Sequence, residues 1–228
     1  SAILFRAAFR DGGQTSDVSQ PGARSLDLPR EETPWRVIGS YIRIGVEHIL
    51  FGMDHLLFLA CLVLLARTAR RIALTISGFT LGHAVTISLA SLGLIRVDGL
   101  VVEALVALSI VFVASELVRQ RKDTLIFRHP VLVTGGFGTL HGLGFAGALS
   151  EIGLAQSSIA LSLIGFNLGV EAGQFIVVLL VFALMALGRR LALGNASTFV
   201  EQIRSAALAV IGIAASFWFW ERGLALFV

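Results

Sequence analysis

The sequence is poor in cysteine, methionine and charge, and each shortage excludes a class of protein or site. Cys61 is the only cysteine, so the chain has no intrachain disulfide and no thiolate metal cluster. Met53 and Met185 are the only methionines and lie far apart, which argues against a methionine-rich copper(I) site. Charged residues make up 14% of the chain, whereas about 25% is usual in soluble domains. The composition therefore excludes an ordinary soluble domain.

Several functional motifs are missing as well. The sequence contains neither the HExxH pattern of metalloproteases nor the GxSxG turn of serine hydrolases. It contains no nucleic-acid-binding motif, although the net charge is +3 and the sequence pI is near 10.0. The arginines lie in short loops between apolar stretches, where they orient a membrane protein. The sequence thus predicts no nucleic-acid partner and no protease activity.

Long apolar stretches predict an all-α integral membrane protein. Apolar residues make up 56% of the chain and its mean hydropathy is +0.85. A spanning helix needs about 20 apolar residues to cross a hydrocarbon core of about 30 Å. The sequence therefore predicts a polytopic transmembrane helix bundle of about six spans in contact with lipid, at Val37–Ala66, Ile72–Leu94, Leu100–Val118, Val131–Ser150, Ser157–Leu187 and Ile203–Trp220.

Loop charges predict the orientation of this bundle. The loops after the first, third and fifth spans hold ten basic residues, and the other connections hold two. Because cytoplasmic loops carry the excess of Lys and Arg, both termini are predicted on the non-cytoplasmic side. Residues 11–34 are polar and rich in Gly, Pro and Ser, so residues 1–34 are predicted to form an extramembrane tail or linker. Residues 35–228 are the predicted transmembrane domain.

Histidines and acidic residues interrupt five of the apolar stretches. Such residues cost roughly 3 kcal/mol each in hydrocarbon, so they usually face a shared interior and have a function there. In the predicted orientation they fall at similar depths, between the outer half of the bundle and its midplane. The sequence therefore predicts one intramembrane metal site, with a ligand set of His48, Asp54, His55, His83, His141 and Glu171.

Helical geometry sets conditions on this site. In a straight helix, His48 and His55 would lie about 10 Å apart along the axis, so one ion could hold both only if the helix unwinds at Gly52. Otherwise the two histidines would serve successive positions along a path. Asp54 is also a candidate for orienting His55 or His83 through a hydrogen bond rather than binding metal itself.

Three further polar residues are predicted around the ligands. Asn167 and Gln174 share one helix face with Glu171, because the three are spaced i, i+4, i+7. Glu103 lies near the outer end of the third span and is the third candidate. Imidazole, carboxylate and amide ligands favour a divalent transition metal, namely Ni²⁺, Co²⁺, Zn²⁺ or Fe²⁺, over copper(I). Mixed ligands of this kind exchange readily, which favours transport over tight storage.

The polar blocks resemble those of a known family. The segments GVEHILFGMDHLLFLACLVLL, FTLGHAVTISLA, VEALVALSIVFVASE, FGTLHGLGFAGAL and FNLGVEAGQ are similar to those of the second subfamily of HupE/UreJ membrane proteins, over about residues 35–220. The resemblance implies a polytopic permease or accessory protein of a bacterial inner membrane that supplies nickel to hydrogenase and urease. It also implies that His48, Asp54 and His55 form the metal motif, with His83, His141 and Glu171 from the later motifs.

Metal transport by a non-enzymatic permease is therefore the predicted function. One alternative is an accessory or structural subunit of a larger membrane complex, in which the polar cluster would be a packing network. A second is an intramembrane metalloenzyme, in which Glu171 or Glu103 would act as general base toward a metal-bound water. Co-purification with other subunits would favour the first alternative, and a bound substrate or lipid would favour the second.

Overall fold

The described part of the chain from residue 33 onward is mainly helical. The computed structural model describes residues 3–8, 14–19, 33–65, 68–152, 159–191 and 196–227, with most side chains from residue 33 on. The helices are α1 Pro34–Phe51, α2 Met53–Leu65, α3 Ala69–Ser91, α4 Gly99–Arg119, α5 Leu125–Arg128, α6 Pro130–Ile152, α7 Ile159–Leu191 and α8 Ala196–Leu224, followed by a 3₁₀ turn at Ala225–Phe227. The predicted helical membrane bundle is thereby confirmed, and the short α5 in the loop before α6 is an addition to it.

Two short strands lie in the segment that was predicted to be a tail. Strand β1 (Ile3–Ala8) pairs antiparallel with β2 (Gln14–Ser19). The prediction rested on the polar stretch that follows Arg10, so the short apolar run ILFRAA of β1 was not recognised as a strand. The rest of residues 1–32 lies outside the described residues, so the division into tail and membrane domain stays a prediction.

Four helices are long and apolar enough to cross a membrane: α3, α4 and the main parts of α7 and α8. The pair α1–α2 passes the same test as one span bent by 76°, which gives up to five candidates among the described residues. Large apolar side chains such as Leu81, Leu132 and Ile213 are exposed on the outside of the bundle, as contact with lipid requires. The count of six spans and the orientation of the termini stay predictions. Two predicted span ends, Ala66 and Ser157, lie outside the described residues.

Helices α1 and α7 run parallel and pack backbone to backbone. A methyl group on Gly45 would overlap the carbonyl oxygen of Phe166, and one on Gly169 would overlap that of Ile42. Glycine at these positions lets the two helices approach more closely than any side chain would allow. Gly165 lies against Ile38 and Gly169, one turn later, lies against Ile42, so the contacts advance along both helices together and α1 and α7 point the same way.

Helices α3 and α6 form a second parallel pair of the same kind. A methyl group on Gly138 would overlap the carbonyl oxygen of Phe79, and one on Gly82 would overlap that of Gly135. Gly142, one turn after Gly138, lies against Thr86, so both glycines are on the face of α6 that packs on α3. This pair carries two of the histidines, on α3 and α6, into the centre of the bundle.

Helices α4 and α8 form an antiparallel pair at the side of the bundle. The guanidinium of Arg204 donates to the carbonyl of Leu117 at one end, and that of Arg222 donates to the carbonyl of Glu103 at the other. The N-terminus of α4 is capped by Asp98, whose side chain accepts from the backbone N–H of Leu100. Helix α4 also packs antiparallel against α6, so it covers one side of the central cluster.

Helix α2 is buried among the three pairs. Its side chains Phe58, Leu59, Cys61 and Leu62 are almost fully buried, and it contacts α3, α4, α7 and α8. The thiol of Cys61 is free and buried, so this residue packs as a small apolar side chain. Since α2 begins next to the histidines, its first turn delivers polar side chains to the middle of the molecule.

Candidate metal centre

The break between α1 and α2 brings two histidines together. Gly52 leaves the helical conformation (φ −77°, ψ 98°), and the helix axis bends by 76° there. The ring centroids of His48 and His55 are consequently 4.4 Å apart, whereas a straight helix would separate the two residues by about 10 Å along its axis. Of the two geometries predicted for this segment, the structure therefore has the one that is unwound at Gly52.

A third histidine completes a group that could hold one cation. His83 of α3 is fully buried, and one ring nitrogen from each of His48, His55 and His83 lies within 4.8 Å of the others. We call these three residues the histidine trio. The Nε2 atoms of all three are buried and have no hydrogen-bond partner in the described structure. Buried polar atoms are normally paired, so three adjacent unpaired nitrogens fit the donor set of a transition metal.

Neighbouring side chains leave these nitrogens with free lone pairs. Oδ1 of Asp54 lies 3.1 Å from Nδ1 of His55, and an ionised carboxylate only accepts, so Nδ1 carries the proton. The amide of Asn167 donates through Nδ2 to the carbonyl of Leu163, which turns its oxygen toward Nδ1 of His83 at 3.4 Å. Both imidazoles are thereby held in the tautomer that presents an unprotonated Nε2, as ligating histidines usually are.

His141 of α6 is built in the same way but lies beside the trio. Its Nε2 is 3.3 Å from Oγ of Ser109, and that hydroxyl already donates to the carbonyl of Val106. The imidazole must then donate through Nε2, which leaves its buried Nδ1 unprotonated, and no partner for Nδ1 occurs among the described residues. The ring centroid of His141 is 5.0 Å from that of His55. Sequence reasoning missed Ser109, although a hydroxyl within an apolar run of α4 was a usable signal.

Aromatic rings enclose the cluster. Phe145 lies 3.9 Å from His48 between ring centroids, and Phe166 lies 5.5 Å from it. Phe79 lies 5.0 Å from His141 on the opposite side, and Phe166 stacks on His83 with an angle of 24° between ring planes. These apolar rings lower the polarity around the imidazole nitrogens, which strengthens the electrostatic interactions there.

The remaining predicted residues lie outside the trio. Glu171 accepts from the hydroxyl of Ser77 at 2.7 Å, and Gln174 accepts from that of Thr80 at 2.8 Å. With Asn167 they face α3 as one row, as their spacing predicts. Glu103 instead forms an ion pair with Arg222 at 3.5 Å, between α4 and α8. Of the six predicted ligands, the structure brings together the trio, with Asp54 and His141 next to it.

Comparison with known protein families gives a match over most of the chain. Residues 25–222 match the family model described as HupE / UreJ protein, which includes the eight described α-helices apart from the end of the last. No curated protein and no solved structure matches the chain.

Proposed function

Because the chain belongs to the HupE / UreJ family, we propose that it transports a divalent transition-metal cation across the membrane, with Ni²⁺ as the first candidate. The cation would bind to the histidine trio as cargo and leave again. The family points to metal transport, and the trio offers a compatible site. Co²⁺, Zn²⁺ and Fe²⁺ use the same ligand types and are the competing cargoes.

The free Nε2 atoms of the histidine trio are the observation that carries this proposal. Three neutral imidazoles with a single carboxylate behind them supply strong ligands but little negative charge. A site of this kind compensates only part of the cost of taking a doubly charged ion out of water, so it favours moderate affinity. Moderate affinity suits a transport site, in which the ion must also be released.

An enzymatic role has less support from the geometry. The two acids that were candidates for general base, Glu171 and Glu103, are engaged by the hydroxyl of Ser77 and the guanidinium of Arg222. Asp54 is adjacent to the trio, but it is held by the Nδ1 and the backbone N–H of His55. We therefore propose a permease of a bacterial inner membrane rather than a metalloenzyme.

Uptake of radioactive Ni²⁺ by cells that express the protein tests this proposal. Wild-type protein should raise uptake above that of cells without it, and His55→Ala should abolish the increase. His129→Ala is the matched control, because this fifth histidine is exposed in the loop before α6 and should leave uptake unchanged. Equal uptake with His55→Ala and wild type would overturn the proposal. Fixed-ratio co-purification with other membrane subunits, without uptake, would favour the accessory role.

A further inference from the structure

Two sequence patterns occur twice in the chain, in the same order. The first is GVEHIL at residues 45–50 of α1, which shares Gly-x-x-His-x-Leu with GTLHGL at residues 138–143 of α6. The second is GFTLG at residues 78–82 of α3, which differs from GFNLG at residues 165–169 of α7 only at its third residue. An internal duplication would relate α1 to α6 and α3 to α7.

The contacts between helices follow the same correspondence, residue for residue. Within each pair, glycines lie against backbone carbonyl groups of the partner helix, and equivalent residues make the equivalent contacts in the other pair. In the α1–α7 pair, the contacts are Gly45 with Phe166, Gly169 with Ile42 and Gly165 with Ile38; in the α3–α6 pair, they are Gly138 with Phe79, Gly82 with Gly135 and Gly78 with Val131. One constant shift in numbering converts α1 into α6, and another converts α3 into α7. Chance similarity of two short motifs would not reproduce three equivalent contacts.

The two halves have opposite directions. Helices α3 and α7 are antiparallel, since His83 faces Asn167 while Ser77, further toward the α3 N-terminus, faces Glu171, further toward the α7 C-terminus. Replacing α3 by α7 therefore reverses the direction, and the same holds for α1 and α6. The third helices, α4 and α8, pack antiparallel on one another, as two copies related by a twofold axis would. The axis that relates such halves lies in the membrane plane.

His48 and His141 are counterparts in this arrangement. Each histidine comes three residues after a glycine that packs on the backbone carbonyl of the repeated phenylalanine. The ring centroids are 5.5 Å apart for His48 and Phe166, and 5.0 Å apart for His141 and Phe79. The ring of His55 stands between the two, 4.4 Å from His48 and 5.0 Å from His141. His48 and His141 each have a buried ring nitrogen with no partner in the described structure.

The two halves differ in conformation at this point. The first breaks at Gly52, whereas the equivalent residue in the second half, Phe145, lies within the continuous helix α6. In addition, α6 packs on α4, where His141 contacts Ser109 and Phe137 contacts Phe112. The equivalent pair, α1 and α8, makes no comparable contact in the described part of the chain. Inverted halves with unequal conformations are the arrangement by which transporters open one membrane face at a time.

We infer that the chain consists of two inverted three-helix units, and that the cation passes from His48 to His141 by way of His55 as the units exchange conformations. This inference rests on the proposed transport function for the passage of the cation, but the repeat itself does not depend on it. An axis in the membrane plane exchanges the two faces. The path to His48 therefore opens to one face of the membrane and the path to His141 to the other.

Thiol labelling from each side of the membrane tests this assignment. In a Cys61→Ala background, His48→Cys and His141→Cys should react with a membrane-impermeant methanethiosulfonate in sealed vesicles of the two orientations. Each cysteine should react about tenfold faster from one face, and the two preferred faces should be opposite. Reaction of both from the same face, or of neither from any face, would overturn the inference.

A comparison of binding and flux gives a second test with Ni²⁺ as the probe. Purified His141→Ala keeps the histidine trio, so it should bind Ni²⁺ nearly as wild type does, and this binding also verifies that it is folded. Its flux in proteoliposomes should fall at least about tenfold, because the onward ligand is missing. His129→Ala should change neither quantity. If His141→Ala transported Ni²⁺ as fast as the wild type, the inference would be overturned. If the wild-type protein itself showed no Ni²⁺ flux, the proposed function would be overturned, but the labelling test of the inverted repeat would still hold.

Discussion

The substitution Gly52→Ala tests whether the break in the first span builds the metal centre. A Cβ at residue 52 would lie 2.7 Å from the carbonyl oxygen of His48, 2.8 Å from Nδ1 of His55 and 3.4 Å from Oδ1 of Asp54. The first two distances are shorter than real Cβ contacts, so the surrounding groups must move. The backbone angles at Gly52 lie in the extended region that alanine also adopts, so the effect comes from the side chain alone.

The expected loss follows from the geometry. Overpacking of this kind costs about 1–3 kcal/mol where the neighbours cannot move, and the natural relief is to push His55 away from His48. A displacement of about 1 Å takes one ligand out of reach, so Ni²⁺ affinity should fall at least about tenfold, or about 1.4 kcal/mol. Isothermal titration of the purified protein with Ni²⁺ measures this directly.

Gly39→Ala is the matched control for this experiment. Gly39 lies on the same helix, and a Cβ there would meet nothing within 4 Å. Alanine is the better helix former by up to about 1 kcal/mol, so this variant should be as stable as wild type and bind Ni²⁺ equally well. Wild-type affinity in Gly52→Ala would refute the argument that the break positions His48 and His55.

Three further predictions concern the surroundings of the trio. Asp54→Asn should weaken Ni²⁺ binding about 10–100-fold in titrations, because an amide holds the tautomer of His55 less firmly than a carboxylate; unchanged affinity would contradict this role. Lowering the pH should weaken Ni²⁺ binding reversibly, because an imidazole that takes up a proton loses the lone pair that binds metal; an affinity independent of pH would contradict imidazole ligation. Gly138→Ala should lower the thermal unfolding temperature of the detergent-solubilised protein, whereas Gly136→Ala, whose Cβ would meet nothing within 4 Å, should not. Equal unfolding temperatures would show that α3 and α6 tolerate a wider separation.

The apolar pattern was sufficient to predict the helices, but not how the first one bends. Each predicted span corresponds to a helix or, for Val37–Ala66, to the bent pair α1–α2. The sequence allowed both a straight helix and one unwound at Gly52, because glycine tolerates a break without requiring it. Packing of α2 among four neighbouring helices decides between them, and such long-range contacts are not visible in a local pattern.

The residue types of the candidate site were predictable from the sequence, but which of those residues meet was not. Asn167 and Glu171 share one face of α7, but Asn167 lies next to His83 whereas Glu171, one turn later, contacts Ser77. Which polar residues meet depends on how each helix is rotated and shifted against its neighbours, and hydrophobicity alone does not determine this. The full ligand set therefore stays a prediction, of which His48, His55 and His83 have compatible geometry.

The internal repeat is present in the sequence, but two short motifs do not make it recognisable there. GFTLG and GFNLG are easily aligned, but they lie in helices of opposite direction whose partners come from the other half of the chain. The equivalence becomes meaningful only when the glycines are seen against the same carbonyl groups. Repeated glycine positions on α3 and α7 are thus explained by packing, since each pair needs the same close backbone approach.

X-ray absorption at the nickel edge of the purified, Ni²⁺-loaded protein tests the central claim most directly, because it identifies the atoms that bind the cation. The account predicts a ligand shell dominated by imidazole nitrogen, with fewer imidazoles in His48→Ala, His55→Ala and His83→Ala and no change in His129→Ala. A shell without imidazole, or one that none of the three substitutions alters, would contradict it.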